Sequence, residues 1–466
     1  MSERYDLLVK RGTVVLPADV VEADIAVKDG AIAAIEGSID ERLAARTIMA
    51  DGCLVMAGVI DGHVHLNEPN FGHWEGFATG TAALAAGGCT AYADMPLNGN
   101  PPTVHLDALR QKERLAAGSS AVDYRFWGGL VPGNLDHLRE LADAGVVGFK
   151  AFMSNPGGEG EGRFREVDVA ELRAGMEKIA QIGGLLALHA ESEAITSGLA
   201  DRMRREGRMG PLDYAASRPV EAETSAVAEA LALAEATGCR LHFVHISSPE
   251  AARLVARARG RGMDVSSETC PHYLTLTDRH MAALGPVAKC APPLRDAARV
   301  EALWALLKAG EIDLIASDHS PCPEEMKLGP GLTFFDAWGG IAGAQHTLEL
   351  MLEEGWAKRG MPLTQLTALL SANPARRFGF YPRKGEIAVG FDADLAIVDP
   401  SRPRTIARAE LLHRHPHSPY IGRRLSCKVV AAICRGTTVY AAEDGIVCPG
   451  AGRHFGAIPG PGHADG

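Results

Sequence analysis

Between about residue 57 and residue 383 the chain repeats one pattern: a short apolar run, a polar loop, then an amphipathic stretch with helical spacing. The apolar runs are Val59 to His65, Thr90 to Asp94, Tyr124 to Gly128, Val146 to Lys150, Leu185 to His189, Arg240 to His245, Asp264 to Glu268 and Asp313 to Asp318. Each is separated from the next by room for a helix, such as Val167 to Ile182 or Val220 to Ala236. Strands alternating with helices form parallel sheets, and eight of them favour a closed α/β barrel over an open sheet.

The two ends follow a different rule. Residues 5 to 56 read as short alternating strands with tight turns, including an Asp29-Gly30 hairpin signal. The same grammar returns in Gly385 to Val398 and in Lys428 to Tyr440. We therefore expect residues 1–56 and 384–466 to build one composite β domain beside a catalytic domain spanning 57–383. The stretch from Pro449 to Gly466 is rich in Gly and Pro and is expected as a loose or docked tail.

Composition narrows the function classes. Of the 466 residues, 46% are hydrophobic and 23% charged, the balance of a chain that buries a large core. A formal charge of −11, with no basic run, argues against a nucleic-acid partner. The charged N-terminus lacks the apolar core of a signal peptide, and no apolar run is long enough to span a membrane. Nine cysteines without a Cys-x-x-Cys pair fit reduced thiols, so a cytoplasmic location is expected.

The strand ends carry the chemistry. His63 and His65 stand two apart on one strand and share a face. Lys150, His189, His245 and Asp318 end four further runs, and in a closed barrel all five ends surround one axis. Alternation along Leu241-His-Phe-Val-His245 puts His242 on the face opposite His245, so His242 is expected outside the site. Asp318 reads either as a metal ligand or as the cap of a following helix. Lys150, with an ordinary pKa of about 10.4, reads either as half of a salt bridge or as a lysine carboxylated by carbon dioxide. In the second case four imidazoles, one carbamate and one carboxylate suffice for two divalent ions, zinc foremost, with manganese, cobalt or nickel also compatible. Such ions lower the pKa of bound water to about 7 and polarise a carbonyl, and Asp318 is placed to carry the proton. Hydrolysis of an amide-like bond is the expected chemistry.

These residues, with their surroundings, resemble the cyclic amidohydrolase family of dihydroorotases, hydantoinases or dihydropyrimidinases, and allantoinases. The resemblance is carried by Glu68-Pro69, Trp74-Glu-Gly-Phe77, Asp94-Met-Pro-Leu-Asn98, Val147-Gly-Phe-Lys150, Leu188-His-Ala-Glu191 and Glu268-Thr-Cys-Pro-His-Tyr273. Lys289-Cys-Ala-Pro-Pro-Leu-Arg295, Ser317-Asp-His-Ser-Pro-Cys-Pro323 and Ala337-Trp-Gly-Gly-Ile-Ala-Gly343 extend it, and they are most similar to the allantoinase branch. The resemblance implies a (β/α)8 TIM-type barrel with a β-sandwich-like domain from both termini, commonly as a homotetramer. It implies one metal on His63, His65, Lys150 and Asp318, a second on Lys150, His189 and His245, and hydrolysis of allantoin to allantoate.

Departures separate the branches. Dihydroorotases usually carry arginine two residues after the second histidine, where this chain has Asn67, which suits a neutral substrate better than an anion. Hydantoinases typically place tyrosine where this chain has Asn155. Asn67, Asn155 and Ser317 are the candidate substrate contacts, with loop capping as their other reading. A hydantoinase or dihydropyrimidinase of broader range is the alternative function. Glu68 and Glu75 are expected to order loops, His272 and His319 to stand behind the site, and His413-Arg-His-Pro-His417 to lie beyond the barrel.

Overall fold

The apolar run from Leu54 to Ile60 does not enter one strand but is shared between two sheets. Leu54–Ala57 belongs to a sheet made from both chain ends, and Val59–Val64 is the first strand of the barrel. Gly58 makes the passage, because a Cβ there would lie 2.2 Å from the Thr90 side chain on the neighbouring barrel strand. The computed structural model describes residues 4–157 and 162–456.

Eight parallel positions follow around the barrel, at Val59–Val64, Cys89–Asp94, Asp123–Phe126 with Gly128–Gly129, Phe149–Phe152, Leu185–His189, Arg240–Phe243, Val265–Thr269 and Leu314–Ile315. The third is interrupted at Trp127, whose backbone N–H donates to Asp94 and whose indole donates to the Gly62 carbonyl at 3.0 Å. A parallel bridge between Val64 and His319, with the His65 N–H on the His319 carbonyl at 2.8 Å, closes the ring. Leu186, Leu188, Leu241 and Phe243 pack outward under the helices, whereas Ala91, Ala93, Ala187 and Leu314 join Trp127 and Phe378 in a separate inner cluster. Gly62 is required by that plug: a Cβ would meet the Phe378 ring at 2.1 Å.

The predicted helices form where the pattern places them. Val169–Gln181 starts at Asp168, whose carboxylate caps Glu171 N–H while Glu171 returns the bond. Val220–Thr237 stops at Gly238, which takes the left-handed conformation at φ 70°.

The terminal sheet has nine strands, and Leu395–Asp399 is inserted between Leu54–Ala57 and Lys428–Cys434. Asp29 and Gly30, at φ 51° and 80°, turn Val20–Lys28 back onto Ala31–Glu36. Gly385 to Asp394, expected as strand, is loop instead. Its carboxylates are drawn to the buried Lys384 ammonium, which contacts Asp392 at 3.1 Å and Asp394 at 2.6 Å. Lys384 also meets Asp123 of the third barrel strand at 2.7 Å, so one cation ties sheet to barrel. The tail docks as far as it is described: Phe455 N–H donates to Tyr124, and Tyr124 N–H donates to Arg453. Residues 457–466 of that tail lie outside the described residues.

Removing one partner of a buried ionic group leaves the others uncompensated. Lys384→Met, which removes the cation shared by Asp123, Asp392 and Asp394 and leaves Asp394 without an ion pair among the described residues, is expected to lower unfolding free energy by about 3–5 kcal/mol in chemical denaturation. A loss below about 1 kcal/mol would show that water replaces the ammonium.

Candidate metal centre

Four imidazoles converge at the C-terminal mouth of the barrel. His63 and His65 follow from one strand, and His189 ends another. His245 and Asp318 arrive differently. Their strands stop at Phe243 and Ile315, and the chain then bends through φ 39° at His245 and 46° at Asp318. Positive φ at a non-glycine residue is strained, and it turns both side chains toward the axis.

That bend corrects the alternation argument for His242. Because the extended strand ends at Phe243, His242 and His245 are not on opposite faces, and His242 points into the barrel interior. There it meets Glu268 Oε2 at 3.0 Å, Ser266 Oγ at 2.8 Å and the edge of the Phe378 ring. Lys150 also differs from expectation, lying within Phe149–Phe152 rather than at a strand end.

The ligating atoms are close together. Asp318 Oδ1 lies 3.2 Å from His63 Nε2 and 3.3 Å from His65 Nε2, and His189 Nδ1 lies 3.0 Å from His245 Nε2. Nitrogen and oxygen ligands about 2.1 Å from a tetrahedral zinc stand about 3.4 Å from one another, so these separations fit a shared cation. One ligand atom each from His63, His65 and Asp318 fall within 4.8 Å of one another. Lys150 is fully buried, and its Nζ, 4.8 Å from the Phe152 ring centre, has no hydrogen-bond partner; nor has His65 Nδ1 or His245 Nδ1. Orphaned buried donors beside a cluster of lone pairs are what a metal site leaves when only protein atoms are counted.

Electrostatics select the ligand forms. Burial pushes His65, His189 and His245 down, toward the neutral imidazoles that bind metals. Burial also drives the Lys150 ammonium down to about 7. Burial opposes ionisation of Asp318, but the surrounding imidazoles outweigh it and hold the carboxyl well below the usual range.

Two buried carboxylates that sequence reasoning left without a role orient the rings. Glu268 accepts from His63 Nδ1 at 2.5 Å, leaving Nε2 for the centre. Glu191 contacts His189 Nε2 at 2.9 Å and pairs with Arg218. Burial works against both acids, yet Arg218 and His189 hold Glu191, and His63 and His242 hold Glu268, at about 2. Their spacing offered a clue: Glu191 stands two residues after His189, on the same side of an extended chain.

A cavity of about 560 Å³ opens above the cluster, with His63, His65, His189, His245 and Asp318 in its floor. Its charged lining is nearly balanced, with Arg204, Arg218 and Lys289 against Glu193, Asp201, Asp318 and Asp336. Asn155 lines it, although its Oδ1 is occupied by Gly157 N–H and Arg163. Asn67 and Ser317 do not: Asn67 Nδ2 donates to the Pro321 carbonyl, and Ser317 Oγ caps the His319 N–H.

None of the remaining candidates lines the cavity. Glu75, pushed up to about 8 by burial, accepts the Arg414 N–H. Glu68 borders Gly72, and His319 accepts from the Gly343 and Ala344 N–H groups. His272 is buried with both ring nitrogens unpartnered, and it lies outside the cavity lining. His413, His415 and His417 each bond a backbone carbonyl, of His417, His73 and Cys322 respectively, so that tract is a strap and not a metal site.

Comparison with known proteins agrees with this geometry. Residues 54–439 match the profile of the amidohydrolase family. The chain is 48% identical to an allantoinase of Rubrobacter xylanophilus, covering 97% of each chain. It is 46% identical to an allantoinase of Deinococcus radiodurans, covering 93% of this chain and 95% of that one. Among solved structures, the L-hydantoinase (dihydropyrimidinase) from Arthrobacter aurescens superposes with a TM-score of 0.93 at 36% identity, covering 97% of this chain and 100% of that one. With a barrel whose mouth gathers histidines and an aspartate, and with relatives matched along almost its whole length, the chain belongs to the amidohydrolase family.

Proposed function

We propose that the chain is a metal-dependent allantoinase, hydrolysing the cyclic amide bond of allantoin to give allantoate in purine breakdown. The observation that carries the reading is the convergence of four imidazoles and Asp318 on the floor of a charge-balanced cavity. A balanced lining suits a small neutral ureide. The nearly full-length likeness to allantoinases selects allantoin among such ureides.

His63, His65, Asp318 and a carboxylated Lys150 would hold one divalent ion, and Lys150, His189 and His245 the other, zinc being the first candidate for this donor set. When bound, the ions lower the pKa of water to about 7 and polarise the scissile carbonyl. Carboxylation would replace the buried Lys150 amine with an anion that supplies oxygen donors to the cluster. Glu268 and Glu191 fix the tautomers of His63 and His189. Asp318 takes the proton of the attacking water at the carboxylate oxygen that is not turned to His63 and His65, and delivers it to the leaving nitrogen. The ring of Phe152, stacked on His189 at 4.7 Å, shields that side from bulk water.

Residues 57–383 are read as the catalytic domain, and 1–56 with 384–466 as the composite β domain. All nine cysteines are unpaired, which supports a cytoplasmic location, and the family resemblance supports a homotetramer. The second reading, a hydantoinase or dihydropyrimidinase, is favoured by the close superposition on the Arthrobacter aurescens enzyme.

A substrate panel separates the two. Zinc-loaded protein is expected to open allantoin with kcat/KM about 100-fold above hydantoin and dihydrouracil, a discrimination that hydrogen bonds to the extra ureido group supply. Turnover of hydantoin with no action on allantoin sinks the first reading. Lys150→Ala should reduce both bound metal and turnover, on the order of 1,000-fold in kcat, with partial recovery in short carboxylic acids that replace the carbamate. Normal metal content in that variant removes the bridge. Asp318→Asn should lose about 10²–10⁴-fold in kcat by abolishing proton transfer. An unchanged rate excludes Asp318 as the proton carrier.

A further inference from the structure

One wall of the cavity is formed by Phe335, Asp336, Ala337, Trp338 and Gly339, a segment outside the regular helices and strands. It is irregular backbone beside a polar cavity, so something must fix its conformation. Lys289, which lines the same cavity, reaches this segment with its side chain. Its Nζ donates to the Phe335 carbonyl at 2.8 Å and to the Ala337 carbonyl, and its cation lies 4.7 Å from the centre of the Tyr214 ring. Lys327 sits behind it in turn, donating to the Lys289 carbonyl at 3.1 Å and the Pro286 carbonyl at 2.8 Å.

These two amino groups are 4% and 1% exposed, neither forms an ion pair among the described residues, and burial pushes them down to about 7 and about 8. Burying a cation that meets only carbonyl oxygens is costly, and a methionine of similar length would fill the same space without that cost. The ammonium does one thing methionine cannot. It gathers two carbonyls, two residues apart, onto a single donor, adding to the bonds between Thr333 and Asp336 that close the turn before Trp338. From the other side, the Trp338 indole donates to the Ser320 carbonyl at 3.2 Å, two residues beyond Asp318. The wall is thereby anchored both to the loop that bears Asp318 and to the segment that bears Lys289 and Ala291.

We infer that Lys289 is a positioning residue that holds the Phe335 to Gly339 wall in its substrate-binding conformation, with Lys327 supporting it. Lys289 acts through the wall and not on the reacting atoms, so its loss weakens substrate binding and leaves the metal cluster intact. The inference rests on the reading of this cavity as the substrate site.

The test is steady-state kinetics and metal analysis on the zinc-loaded enzyme. Lys289→Met is expected to keep the parent metal content and a kcat within about threefold, while KM rises about tenfold or more, the loss of hydrogen bonds to a charged donor. Lys289→Arg, which retains a charged donor for both carbonyls, should return KM to within about threefold of the parent. If Lys289→Met does not fold, Lys289→Gln, with N–H donors but no charge, takes its place with the same expected KM rise. An unchanged KM overturns the inference, as does equal damage in the charged and uncharged variants, or a loss of metal together with kcat. Should the parent enzyme open hydantoin and not allantoin, the proposed substrate falls, and the same KM split read on hydantoin still decides the role of Lys289.

Discussion

The site depends on one buried carboxylate. Glu268, with no exposed surface, binds His63 of the first barrel strand through one oxygen and His242 of the sixth through the other. The oxygen that meets His63 also lies 3.3 Å from the His245 backbone N–H, at the place where the sixth strand leaves its extended path. A single charge in a medium of low polarity thus fixes the ring that faces the centre and supports the bend that brings in another. Hydrogen bonds to an ionised acceptor are roughly twice as strong as neutral ones, which is why one side chain can serve both functions. Without those partners the carboxylate would be desolvated at a cost of several kcal/mol.

Much of this was legible from the chain, and the reasons are local. Each barrel strand is a short apolar run set off by polar loops, and the hairpin at Asp29-Gly30 announces itself because only those residue types accept two successive positive φ values cheaply. The residues of the cluster were visible as ionisable groups closing apolar runs. What alternation misjudged was His242, because the two-residue period holds only while the strand remains extended, and here it ends at Phe243. Gly385 to Asp394 failed for a related reason: its alternating pattern is sound, but the buried lysine that immediately precedes it claims its carboxylates. Electrostatics of this kind leaves no periodic trace.

Substrate-facing residues were the least legible. Asn67 was informative by its identity, since an amide stands where an arginine would favour an anion, yet its side chain turns to Pro321 and not to the cavity. Its φ of 64° belongs to the left-handed region, which asparagine tolerates better than other side chains, so the position also has a backbone reason for asparagine. Ser317 is likewise used by the loop, capping His319 and donating its backbone N–H to Asp61 at 3.1 Å. Polar residues beside a site are drawn first to the unsatisfied backbone of the loops that build it. The wall across the cavity, by contrast, is held by Lys289, whose contacts link residues 46 and 48 positions away.

The strained residues explain how these parts fit together. His245 and Asp318 each adopt a positive φ just past a barrel strand, a conformation that costs about 1–3 kcal/mol in an ordinary setting. A regular strand would carry their side chains past the axis or into the outer layer. Each bend is held by hydrogen bonds: Glu268 of the neighbouring strand meets the His245 N–H, and beyond Asp318 the His319 N–H is capped by Ser317 while its carbonyl accepts from His65. The same bond from His65 to His319 closes the barrel. Closure of the fold and placement of Asp318 are therefore one constraint, because any loosening of the eighth strand from the first displaces Asp318 from His63 and His65 together.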